Sequence, residues 1–257
     1  LGPAENVKGF SRQNLFDYIS ERYAPENLVI SFAGNIDVRY AEDLVGKYFE
    51  SELKKRKFAE RKKEISLVHT SLFKYKDIEQ AHIAFAYPSL KREDELMDAS
   101  LVVNAVLGGG RSSRLFQKVR EQMGLAYTVY SYISSFTEGG LLTVYAGVNP
   151  ANVSKAQGAI ERVIDELCRD KLTQDELSRG REQLKSSLVL AQENSASQMM
   201  AYGKYMLYND AVLDFEQRIR GIDAITMEDC ERAVLCNFRE EDRATAIVGK
   251  TDKPLQI

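Results

Sequence analysis

Between Leu107 and Tyr127 the chain gathers residues that could do chemistry: three consecutive glycines (Gly108, Gly109 and Gly110), then Arg120 and Tyr127, seven positions apart. A guanidinium and a phenol are both hydrogen-bond donors. Held rigidly against a site where negative charge develops, each such donor is worth about 3–4 kcal/mol to the transition state. Gly124 breaks the chain between them, so Arg120 should come from a helix end and Tyr127 from a strand start. The spacing alone is better described otherwise, with Arg120 as a surface cation paired with Glu121 or a nearby Asp and Tyr127 as a core strand aromatic. The glycines do not make a phosphate loop. G-x-x-x-x-G-K-[ST] is absent, and the glycines follow a predicted helix rather than a strand. They are expected to form a flexible turn that supplies left-handed or otherwise strained backbone.

Two histidines, His69 and His82, are the only ones in the chain, and neither stands in an H-x-x-E-H string. No zinc ligand set or general base of that kind can therefore be built from these residues. A Ser–His–Asp triad would need one of the same two histidines, and nothing else points to it. His82, alternating with Ile83, reads as a hydrogen-bonded strand histidine. Cys168, Cys230 and Cys236 contain no C-x-x-C and read as reduced thiols.

The elements that must position Arg120 and Tyr127 follow from periodicity and capping. A helix over 93–106 leads into the glycines, a short helix over 113–122 carries Arg120, and antiparallel strands over 126–134 and 141–148 follow, joined by a turn at 137–140. Upstream, Ser11 caps a helix to Tyr23 with Leu15, Ile19 and Tyr23 as its apolar stripe. Leu28 to Ala33 reads as a buried strand ending at Gly34, and a helix covers 40–49. Strands are predicted over 66–75 and 81–87, with Pro88 closing the second. Downstream, Asn149-Pro150 opens a helix with Val153, Ala156, Ile160, Val163, Ile164 and Leu167 on one face. Thr173 and Glu176 form a capping box for a helix to about Ala191. Helices over 196–208 and 212–220, a helix starting at Thr226 and a strand over 244–248 complete the chain. Met199, Met200 and Met206 fall at core spacing.

Residues 11–35 lie over residues 226–250 without gaps, at an offset of 215 positions. Both read as capped helix, aromatic, short polar turn, apolar strand and Gly. A duplication at this spacing leaves only the tail of the first copy in the chain, with roughly 180 residues of it upstream. The expected organisation is α+β, an antiparallel sheet with packed helices in a duplicated domain whose first copy is truncated. Residues 1–50 are the tail of the first domain, 51–65 a charged linker and 66–257 a complete second domain.

The 257 residues are 44% hydrophobic and 28% charged with net charge −3, so a sizeable core is available and nucleic acid is a poor partner. The Lys/Arg run from Lys54 to Lys63 is interrupted by Glu60 and reads as a solvated linker. No apolar run is long enough to span a membrane. The opening Leu1-Gly2-Pro3 is no signal peptide and reads as a chain cut in mid-sequence.

The ordered string Gly108-Gly109-Gly110, Ser113-Arg114-Leu115-Phe116, Arg120-Glu121 and Gly124-Leu125-Ala126-Tyr127 resembles the second half of the insulinase/mitochondrial-processing-peptidase (pitrilysin-like) zinc metallopeptidases. Tyr23-Ala24-Pro25-Glu26-Asn27 resembles the end of that family's first domain, and Gln80-Ala81-His82 the opening of its second. The resemblance implies a zinc-dependent processing endopeptidase whose metal and general base lie in an upstream segment, H-x-x-E-H plus a later Glu. Arg120 and Tyr127 would reach across to hold the substrate backbone and stabilise the oxyanion. It implies zinc for the full-length enzyme, no ligand in this chain, and a chain inactive alone. Its partners would be its own N-terminal zinc-binding segment, peptide substrates, and a homodimer or family heterodimer mate. The cytoplasm is the expected location, or the mitochondrial matrix in a eukaryote. The alternative is a non-catalytic subunit or structural paralogue of the same family, separated from the first reading by whether H-x-x-E-H is intact upstream.

Overall fold

The computed structural model describes residues 2–51 and 69–250. In chain order these hold α1 (Ala4–Gly9), α2 (Arg12–Arg22), α3 (Val38–Val45), β1 (Ser71–Tyr75), β2 (Ala81–Ser89), α4 (Met97–Gly108), a π-helical segment (Phe116–Gln122), β3 (Ala126–Ser135), β4 (Gly140–Val148), α5 (Val153–Asp170), α6 (Gln174–Gln192), α7 (Ser195–Asn209), α8 (Phe215–Ala224), α9 (Met227–Asn237) and β5 (Ala244–Gly249). They fall into two compact units, one with residues 2–51 and 189–214, the other with 69–188 and 215–250. The sequence expectation kept 189–214 with the second domain, whereas the structure groups them with the N-terminal residues. Residues 52–65 of the expected linker and 66–68 of the expected strand lie outside the described residues.

The larger unit is built on one five-stranded sheet in the order β1-β5-β2-β4-β3. β1 runs parallel to β5, and every other pairing is antiparallel. Side chains alternate across a strand, and β2 shows it: Ala81, Ile83, Phe85 and Tyr87 are buried, while His82, Ala84 and Ala86 are half-buried. Leu142, Val144 and Ala146 of β4 share the buried face. The helices α4, α5 and α9 pack on the sheet and contribute Val102, Val103, Ile160, Leu167 and Val234 to one core. All six residues of the α5 stripe predicted from periodicity are buried. Each large aliphatic side chain removed from water here contributes about 1.5–3 kcal/mol.

Two polar networks tie the elements of this unit together. The Asn237 amide donates to Ser100 Oγ and to the Ala233 carbonyl, both at 2.8 Å, and its carbonyl accepts from Ser89 Oγ at 2.6 Å. This ties α9 to α4 and β2. The Arg114 guanidinium forms a two-pronged pair with Glu176, 2.7 Å at each prong, and also donates to the Lys171 carbonyl at 2.6 Å. Glu176 closes the predicted capping box as well, accepting from the Thr173 N–H at 2.8 Å while its own N–H donates to the Thr173 hydroxyl at 3.2 Å.

The repeat holds at backbone level. Ser11 caps α2 with a box completed by Asn14, and Thr226 caps α9 with a box completed by Asp229, the same position at the 215-residue offset. Tyr23 and Phe238 end the two helices by donating to Ile19 and Val234 carbonyls, and 3-10 turns follow at Pro25–Asn27 and Glu240–Asp242. The copies then diverge. Residues 243–249 carry β5, paired on both edges, whereas Leu28–Ala33 takes no strand ladder among the described residues. The expected buried strand is therefore not formed among the described residues. A strand is made by its neighbours, and the described residues supply none to this segment.

Three further expectations change. Leu15 and Ile19 of α2 are exposed, so that stripe covers no core among the described residues. Neither Met199, Met200 nor Met206 is buried, because α7 buries no residue. β2 continues through Pro88 to Ser89, since the strand end is where a missing N–H is tolerated.

Candidate functional site

Arg120 sits on the π-helical segment, and that segment ends where Gly124 adopts φ +61°. The Gly124 N–H donates to the Arg120 carbonyl at 3.1 Å, and the Leu125 N–H donates to the Val119 carbonyl at 3.0 Å. The left-handed glycine turns the chain out of the helix and directly into β3, which fixes the short path from Arg120 to Tyr127. A side chain at 124 would strain that turn.

Tyr127 does not simply start a strand. Ala126 pairs with Val148 and Thr128 with Gly147, so Tyr127 is the extra residue of a β-bulge. The burial sequence from Ala126 to Val129 runs buried, exposed, exposed, buried, which breaks the alternation that Val129 to Tyr132 then keeps. The bulge thus puts Tyr127 on the same open side as Thr128, Tyr130 and Tyr132, at 57% exposure, rather than leaving it in the core. Bulges are a recurrent means of re-aiming a side chain beside a functional site. No sequence signal marks this one, because a bulge is a relation between two strands.

Three arginines in this stretch have different fates. Arg114 is committed to Glu176, as described. Arg120 makes no ion pair with Glu121 or any other described carboxylate; its guanidinium lies over the Phe116 ring, 4.9 Å from the centroid. Arg111 is exposed at the turn before the helix. A hollow on this surface is lined by Arg111, Phe116, Gln117, Arg120 and Glu121.

Within the glycine triplet, Gly108 is needed for a different reason from the one expected. None of Gly108, Gly109 and Gly110 has positive φ. A Cβ at Gly108 would lie 2.4 Å from the Ser131 backbone N, so glycine is required where α4 presses against β3. This close packing places the turn and the π-helical segment beside the strand that carries Tyr127. The left-handed backbone expected there is at Gly124 instead.

On the open face of the sheet, His82 Nδ1 and the Tyr145 hydroxyl share a hydrogen bond of 2.7 Å. Tyr145 opposes Tyr130 across the β3–β4 ladder, with ring centroids 5.1 Å apart, and Tyr130 lies 6.0 Å from Tyr132. Burial pushes the Tyr145 phenol above its ordinary range, and Tyr130 adds to the rise. His82 is thus a hydrogen-bonded strand histidine, as its alternation with Ile83 suggested, on a half-open face. This face was not among the sequence expectations; alternation of Tyr130 and Tyr132 along one strand is the signal that could mark it, but their pairing with Tyr145 needs the register.

Among the described residues no group of three or more His, Cys, Asp or Glu side chains could hold a metal ion. The described residues do not fit a zinc site. Cys168, Cys230 and Cys236 are free thiols, with burial pushing Cys230 up to about 11. No helix among the described residues is long and apolar enough to cross a membrane.

Comparison with known proteins agrees with the motif. The family model described as the peptidase M16 inactive domain matches residues 9–184. An uncharacterized zinc protease of Bacillus subtilis, YmxG, is 37% identical over 97% of this chain and 60% of its own length. An uncharacterized zinc protease of Mycobacterium tuberculosis is 34% identical over 97% of this chain and 58% of its own. The chain thus spans somewhat over half the length of these curated relatives. The crystal structure of a peptidase M16 inactive domain from Pseudomonas fluorescens superposes with a TM-score of 0.87 over 99% of this chain and 61% of that one, at 22% identity, which shows the shared fold. With the motif string, the fold and the family model in agreement, the chain belongs to the peptidase M16 inactive-domain family.

Proposed function

We propose that this chain is the substrate-holding part of a zinc-dependent processing endopeptidase, acting opposite a metal site carried by a segment outside it. The observation that supports this most is the bulge at Tyr127. It keeps on the open face a phenol that the alternation of Val129 to Tyr132, extended back, would bury, one left-handed turn away from a guanidinium that no described carboxylate neutralises. Arg120 then holds the peptide backbone, and Tyr127 donates a hydrogen bond to the carbonyl oxygen as negative charge develops on it. Zinc, where the full-length enzyme binds it, supplies activation of the attacking water. None of the described side chains serves as its ligand or as general base, so no step of this chain's own runs through the metal.

The partner in this reading is the N-terminal zinc-binding portion of the same protein. The apolar hollow in the smaller unit supports it: Ile30, Phe32 and Gly34 line it, and their counterparts in the repeat, Thr245, Ile247 and Gly249, are the buried residues of β5. The lengths of the relatives leave room for strands that would flank residues 28–34 as β1 and β2 flank β5. Unfolded peptides are the substrates, and a dimer of such proteins is the assembly. Free thiols favour a reducing compartment, the cytoplasm.

The test is Arg120→Ala and Tyr127→Phe in the full-length enzyme. Each should lower kcat/KM by roughly 10²-fold, with zinc content unchanged by metal analysis. Wild-type turnover in both variants would remove the assigned role and favour a non-catalytic subunit or paralogue.

A further inference from the structure

The hollow beside Arg120 contains a second cation that the backbone-holding role does not use. Phe116, Gln117, Arg120 and Glu121 stand on one side of the helical segment, at the i and i+4 spacing that stacks side chains. Arg111 enters from the preceding turn. That turn is clamped. The Ser113 N–H and hydroxyl both donate to the Gly110 carbonyl, at 3.1 and 2.6 Å, and the Gln117 amide donates to the Arg111 carbonyl at 2.7 Å. The backbone of Arg111 is thereby tied to the helix that carries Arg120, while its guanidinium has no carboxylate partner among the described residues. The Arg120 guanidinium carbon lies over the Phe116 ring, 4.9 Å from its centroid. A cation–π contact uses the charge without consuming an N–H donor, so the donors stay available to an acceptor.

We infer that Arg111 and Arg120 together form a carboxylate-accepting subsite, which selects peptides carrying an acidic side chain or a free C-terminus next to the held backbone. A guanidinium matches a carboxylate with two parallel N–H donors, which a neutral amide cannot replace. Two cations and the single Glu121 leave the hollow with one uncompensated positive charge, enough for one carboxylate. Glu121 opposes a second one. The subsite rests on the reading of Arg120 as a substrate-holding residue, but binding rather than turnover decides it.

The experiment uses the intact protein and three fluorescent peptides of one otherwise neutral sequence: Gln with an amidated C-terminus, Glu with an amidated C-terminus, and Gln with a free C-terminus. Equilibrium binding is read by anisotropy. At least one carboxylate-bearing peptide should bind roughly three- to tenfold tighter than the neutral one, the scale of a partly exposed charge-assisted contact. Which of the two does so identifies the side chain or the chain end as the source. In Arg111→Met the ratio should fall towards one, in Glu121→Gln it should rise, and salt should compress it in the wild type. Equal binding of all three peptides by the wild type, or a ratio that survives Arg111→Met, overturns the subsite. Wild-type turnover in both Arg120→Ala and Tyr127→Phe would remove the first proposal, whereas the wild-type binding ratio and its loss in Arg111→Met decide the subsite.

Discussion

Arg111, Arg114 and Arg120 have the same side chain, and their neighbours assign them different work. Arg114 is nearly buried and its charge is spent on Glu176, so it is structural. Burial pushes the Glu176 carboxyl up, but the Arg114 fork and the Thr173 backbone and hydroxyl outweigh it and hold the group at about 2. Its ordinary value is about 4.5. The stabilisation from this pair is therefore complete above the ordinary carboxylate range and is lost as pH falls towards 2. In Glu176→Gln the loss of stability on acidification between pH 5 and pH 2 should be shallower than in the parent, with lower stability at pH 7. Urea midpoints across that range check it, and parallel pH curves would remove the assigned linkage. Arg120 and Arg111, without such partners among the described residues, remain available to a ligand. The sequence shows the three arginines but not this division, because Glu176 lies 62 positions from Arg114 and only the fold brings them together.

At the scale of elements, local rules predicted most of what formed. Capping residues at Ser11, Asn149, Thr173 and Thr226 all accept the hydrogen bonds expected of them. The α5 stripe is buried because a 3.6-residue period puts its apolar side chains on one face. Local reasoning failed where the deciding contact comes from elsewhere. The glycine triplet looked like a left-handed turn, yet Gly108 is required by the backbone of Ser131 on a strand formed later in the chain. Gly108→Ala should consequently destabilise the protein by about 1–3 kcal/mol, as overpacking does. A glycine kept only for turn flexibility would tolerate alanine with little change or a slight gain. Thermal unfolding of the variant separates the two, and an unchanged or raised Tm would contradict the packing account. The bulge at Tyr127 belongs to the same class, since it exists only in the register of β3 against β4.

For the whole molecule, the two copies of the repeat show how one local pattern reaches different ends. Residues 226–250 finish as a strand paired on both edges, and residues 11–35 match them through cap, helix, aromatic stop and 3-10 turn before finishing without a ladder among the described residues. If strands of the N-terminal portion flank Leu28–Ala33 in the full-length protein, its amides should exchange slowly there and rapidly in the 257-residue chain. Hydrogen exchange read by mass spectrometry tests this. Fast exchange in both would show that the first copy does not complete a sheet. The sequence by itself determined the helices, their caps, the repeat and the family-bearing string around Arg120 and Tyr127, because helix periodicity and capping act over a few residues. Only the tertiary structure decided that Leu28–Ala33 takes no ladder among the described residues, that 189–214 group with the N-terminal residues, that Gly108 yields to Ser131 and that a bulge exposes Tyr127. Each of these depends on hydrogen bonds or packing between segments distant in sequence, whose energies no local pattern encodes.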